Sequence, residues 1–137
     1  MKRIIVTIAI CFLAATFCSA QCPDWSPKFD QITNPEVIAK LHEMNWDQAV
    51  AQSGGPEQVI AALKVTRRDA QQRLENADRA AEATKASSGP VQYDATYAQC
   101  KSGNVGAHGA AKCEHLNMTE MILSIDGSID LVRCRQN

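Results

Sequence analysis

Apolar residues recur along most of this chain at steps of three and four, the period of an amphipathic helix. The longest run is Ile60, Leu63, Ala70, Leu74, Ala77, Ala81 and Thr84, and it predicts a helix from Pro56 to about Ala86. Asp69/Arg73 and Glu75/Arg79 form i, i+4 pairs on its outer face. Its seam is narrow and rich in alanine. Arg67 falls on that seam, which marks a frayed start or a charge directed at a partner; the plain reading is a solvated arginine whose stem covers apolar surface. An earlier helix starts at Asn34-Pro35-Glu36, where Asn caps, Pro occupies the first turn and Glu favours the dipole. Val37, Ile38, Leu41, Met44 and Val50 form its inner face until Ser53-Gly54-Gly55 breaks it. The likeness of "PEVIAKL" to "PEQVIAAL" reflects two ordinary helix starts, since repeat architectures need three units or more.

Ser87-Ser88-Gly89-Pro90 ends the long helix, and Asp94 to Lys101 supplies two turns of a third before Gly103. The last segment has two readings. Asp126-Gly127 suits the turn of a β-hairpin, but neither face of that hairpin is uniformly apolar. As a helix, Met118, Ile122, Ile125, Ile129 and Val132 make an unbroken stripe, with Thr119, Glu120, Asp126, Asp130 and Arg133 largely off it. The helix is preferred, with Gly127 costing it about 1 kcal/mol relative to Ala. The fold expected is therefore all-α, a small bundle of about four helices over residues 34–137. An irregular arm at 21–33 precedes it.

Residues 1–20 change the picture of where the chain works. Lys2 and Arg3 precede an uncharged run from Ile4 to Phe17, and Cys18-Ser19-Ala20 offers small residues for cleavage, as in a secretory signal peptide. The run is shorter than the roughly 20 residues that span a bilayer, so stable membrane insertion is not expected. The chain is read as exported, to a periplasm or the extracellular space. Its formal net charge of −1 becomes two units more negative when Lys2 and Arg3 are removed. With its basic residues dispersed, the chain lacks the concentrated basic face that nucleic acid requires.

Removal of Cys11 and Cys18 leaves Cys22, Cys100, Cys113 and Cys134, an even set that reads as two disulfides in an oxidising compartment. If one helix runs from Cys113 to Cys134, twenty-one steps of about 1.5 Å hold the two about 31 Å apart. A disulfide spans at most about 7 Å between Cα atoms, which excludes that pair. Of the two remaining schemes, Cys100 with Cys113 plus Cys22 with Cys134 is preferred. It closes a short ring around the glycine-spaced "GNVGAHG" and ties the arm to the C-terminus. It also closes one long loop, which constrains the unfolded chain most.

Little in the chain points to catalysis. Cys100, His108, Cys113 and His115 are ligand types for zinc, but their spacing is not the usual paired one, and oxidised cysteines are not ligands. No C-x-x-C, G-x-S-x-G or phosphate-binding loop occurs, and His42-Glu43 lacks a second histidine. Asp126 and Asp130 read as a solvated face. Neither metal nor cofactor is expected. Asn117-Met118-Thr119 matches the N-glycosylation pattern, which matters only in a eukaryotic secreted chain.

The function expected is a non-enzymatic exported binding protein, an inhibitor or immunity-type protein whose partner is an envelope or extracellular enzyme. Asn104, Val105 and His108 in the ring are the expected contact residues. Two alternatives belong to other classes. One is an envelope assembly component that oligomerises through the long helix. The other is a carrier of a small apolar ligand lined by Met44, Trp46, Met118 and Met121.

Overall fold

A computed structural model describes residues 21–85 and 95–136. The expected signal peptide, Ala86, the turn at Ser87 to Pro90 and Asp94 lie outside the described residues. Among the described residues there are five α-helices, α1 (Pro35–Glu43), α2 (Trp46–Gln52), α3 (Pro56–Thr84), α4 (Tyr97–Ser102) and α5 (Ala107–Cys134). No strand occurs among the described residues, so the segment around Asp126-Gly127 is helical and the hairpin alternative falls. The protein is a small all-α fold stapled by two disulfides, Cys22–Cys134 and Cys100–Cys113, with Cα separations of 5.7 and 5.4 Å.

The helix starts follow local chemistry. Asn34 Oδ1 accepts the N–H groups of Glu36 and Val37 at the head of α1. The stretch through Val50, expected as a continuation of the same helix, is a separate one. The backbone is extended at Met44, and Asn45 caps a new helix by accepting the Gln48 N–H at 3.0 Å. In an unbroken helix Trp46 would sit about 140° round from Leu41. The break turns it into the core, where its Nε1–H donates to the Asp24 carbonyl at 3.1 Å. Met44, expected to face inward, is instead 43% exposed.

α3 and α5 form an antiparallel pair, shown by cross-links between Arg67 and Asp126, Asp78 and His115, and Ala81 and His108. Ile60, Ala70 and Ala77 of the α3 seam are buried, while Leu63, Leu74, Ala81 and Thr84 are half-buried. Arg67 holds its seam position because Asp126 receives it: Nε and Nη2 meet the two carboxylate oxygens at 2.6 and 3.1 Å. The seam thus faces α5 of the same chain.

The arm at 21–33 is more ordered than its sequence suggests. Ser26 caps a 3₁₀ helix, Pro27–Gln31, which carries Phe29 into the core. The arm then runs antiparallel along a second stripe of α5. Cys22 is bonded to Cys134, Phe29 lies against Gly127, and Thr33 donates its N–H and hydroxyl to Glu120 Oε1 at 2.7 and 2.5 Å. Glu120, Gly127 and Leu131 share this face at spacings of seven and four, and all three are buried. Glu120 was expected off the apolar stripe, and it is: the arm covers it there and supplies its donors.

Phe29, Ile32, Leu41, Trp46, Val50, Ile60, Leu131 and Val132 form one core cluster. It sits where α3 begins and α5 ends. Trp25 meets Phe29 edge-on at 5.0 Å and stacks on His42 at 4.1 Å. Arg135 closes this end. Its side chain is 7% exposed and donates to Asp47, Asp24 and the carbonyls of Pro23 and Leu131.

Gly127→Ala separates two forces. Helix propensity alone predicts a gain of about 1 kcal/mol. A Cβ at this position would lie 2.2 Å from Phe29 Cε1, and the ring has no exposed surface into which to move. Overpacking costs about 1–3 kcal/mol, so the urea midpoint of Gly127→Ala is expected to fall. A raised midpoint would show that Phe29 yields easily.

Candidate functional site

The opposite end of the α3–α5 pair is built differently. Thr96 and Gln99 form a capping box at α4, with Thr96 N–H donating to Gln99 Oε1 and Gln99 N–H to Thr96 Oγ1. Gly103 ends α4 at φ +68°, a left-handed conformation that glycine adopts without strain. The chain then turns into α5, and Cys100–Cys113 closes the ring across the turn.

Within the ring the three expected contact residues are placed differently. Asn104 is exposed. Val105 is half-buried and folds over Gly109, where an added Cβ would lie only 2.8 Å from Val105 Cβ. His108 is also half-buried, and its Nδ1 lies 2.9 Å from the Ala81 carbonyl and 3.3 Å from Thr84 Oγ1. A carbonyl only accepts, so Nδ1 carries the proton and His108 ties α5 to the end of α3. The outward surface of the ring is made by Lys101, Ser102, Gly103 and Asn104 with Gly106, Ala107 and Ala110.

Beside the ring lies an open groove of about 350 Å³, lined by Asp78, Ala81, Ala95, Lys112, His115 and Leu116. Its rim carries His115, whose Nδ1 is 2.6 Å from Asp78 Oδ1. Both side chains are about half exposed. Sequence reasoning missed this pair, because the partners are 37 residues apart and only the register of α3 on α5 joins them. Cys100 and Cys113 are bonded to each other and supply no thiolate, and among the described residues no three His, Cys, Asp or Glu side chains converge as metal ligands. Asp126 and Asp130 are engaged by Arg67 and Lys28. Of the residues suggested for an apolar cavity, Met44 and Met121 are on the surface and Trp46 is in the aromatic core. Asn117 is exposed on α5.

Besides its disulfide to α5, α4 reaches the rest of the molecule through charge. Lys101 Nζ donates to Glu36 Oε1 at 2.7 Å and lies 5.7 Å from the Tyr97 ring centroid. The hydrogen bond from Lys101, with a smaller contribution from the nearby Tyr97, holds the Glu36 carboxyl below its ordinary range, and the same bond raises the Lys101 ammonium.

The chain matches no protein-family model, no curated protein and no solved structure.

A carboxyl lowered on folding contributes stability above its unfolded value and loses it as pH falls through the lowered folded value. The α4–α1 bridge is therefore complete at neutral pH and fails in acid, below the range where a free glutamate titrates, and again in alkali, above the range where a free lysine does. A carbon-detected NMR titration is expected to show the Glu36 midpoint rising in Lys101→Ala. An unchanged midpoint would mean that the bridge does not form in solution.

Proposed function

We propose that this chain is a small exported, non-enzymatic binding protein that occludes an envelope or extracellular enzyme in the manner of an inhibitor or immunity-type protein. Its contact surface is the ring closed by Cys100–Cys113, with Asn104 at the tip and the groove of Asp78 and His115 as a slot for a partner side chain. The observation that carries this reading is the fixing of that surface. A disulfide, the left-handed Gly103 and the His108 tie to α3 hold a short loop between helices. A loop ordered before binding loses little entropy on binding. The disulfides suit an oxidising compartment, and among the described residues no helix is long and apolar enough to cross a membrane.

Partner capture tests it. Oxidised protein is immobilised and exposed to the envelope and extracellular fractions of its source, in parallel with the double substitution Asn104→Arg, Ala107→Arg. The expected result is an enzyme retained by the unmodified chain, inhibited at a one-to-one ratio, and bound at least tenfold more weakly by the variant. Equal retention by both would remove the ring from the interface. Failure of any retained enzyme to lose activity would remove the inhibitory role.

A further inference from the structure

We infer that Cys100–Cys113 is a redox catch, which keeps α4 and the loop at 103–106 in place while oxidised and releases them on reduction without unfolding the rest of the protein, the α5 part of the ring being held by the His108 tie to α3. Its consequence for binding rests on the function proposed above; the structural release does not.

The two ends of the molecule are held in different ways. α4 has six residues, none of them buried, and is too short to persist alone as a helix in water. Among the described residues its ties are the disulfide to α5 and the Lys101–Glu36 bridge with Tyr97, and both bridge side chains are more than 60% exposed. Exposed ion pairs of this kind contribute little. The arm at the other end does not depend on its disulfide in the same way. Phe29 and Ile32 are buried, Thr33 donates twice to Glu120, and Arg135 holds Pro23 and Asp24. Reduction of both disulfides therefore leaves the arm seated and frees α4.

Opening the catch is ordinary exchange chemistry. Cys113 is 8% exposed and Cys100 is more open, so a thiolate of a dithiol reductant attacks the Cys100 sulfur. The Sγ–Sγ bond breaks, a mixed disulfide forms at Cys100, and the Cys113 thiolate takes a proton. The second thiol of the reductant then displaces Cys100. The protein gains two thiols, and the reductant supplies two electrons and two protons and leaves as its own disulfide. A disulfide oxidant reverses the step.

Amide hydrogen exchange on the full mature protein reads the outcome, comparing the oxidised protein, the same protein in dithiothreitol, and the pair variants Cys100→Ser/Cys113→Ser and Cys22→Ser/Cys134→Ser. The Cys100 and Gly103 amides, which donate to the Thr96 and Cys100 carbonyls, report on α4. The Phe29 and Ile32 amides, which donate to Ser26 and Phe29, report on the arm. Dithiothreitol and Cys100→Ser/Cys113→Ser are each expected to speed the α4 amides at least tenfold and leave the arm and residues 120–132 of α5 unchanged. Cys22→Ser/Cys134→Ser is expected to leave α4 protected. Unchanged α4 protection after reduction would overturn the catch, as would acceleration spreading through α5. If release occurs but the unmodified chain captures no enzyme, the catch stands and the proposed function fails.

Discussion

The fold depends on Phe29 lying directly on the backbone of α5 at Gly127. No other residue type leaves room for the ring, since a Cβ there would overlap it. That contact seats the arm, and the arm gives α5 a second buried face beside the one that meets α3. Cys22 on Cys134 and Thr33 on Glu120 extend the same line in both directions. Trp25 and Trp46 then pack around Phe29, so the aromatic core gathers at this end. A glycine that weakens an isolated helix is here what lets the helix be covered.

The consequence is a molecule with two unlike ends. One carries the aromatic cluster and the nearly buried Arg135, whose guanidinium joins the arm, α2 and the end of α5. The other has a ring, a short helix without buried residues and a groove whose rim is the Asp78–His115 pair. Apolar burial stabilises the first, while a covalent bond and a few polar ties define the second. The proposed contact surface, the ring, carries none of the exposed large apolar side chains Met44, Val65 and Met121; a large apolar patch would favour association between copies of the chain.

Much of this was legible in the pattern of residues. The seam of α3, the start of α1 at Asn34-Pro35 and the helical reading of the last segment all rest on periodicity and capping, which are local. Helix length excluded Cys113 with Cys134, because one continuous helix separates them, and the choice between the two remaining pairings rested on the short ring and on the tether it gives the arm. What escaped depends on surfaces that only the tertiary structure brings together. The break at Met44 required knowing that Trp46 has a pocket to enter. The second face of α5 contains Glu120 and Gly127, residues that no apolar pattern marks, and it is buried because Thr33 and Phe29 arrive from about ninety positions away in the sequence. Arg67 was visible as a charge on a seam, yet its partner Asp126 was not. In the ring, spacing placed Asn104, Val105 and His108 together but could not reveal that His108 turns to α3.

The central claim is that two covalent ties divide the molecule into a seated arm and a closed ring. Peptide mapping of the protein purified from its source under non-reducing conditions, with mass spectrometry of the linked fragments, tests it most directly. The account predicts fragments joining Cys22 to Cys134 and Cys100 to Cys113, with no free thiol at those four positions before reduction. Fragments joining Cys22 to Cys113 and Cys100 to Cys134, or free thiols at these positions, would contradict it.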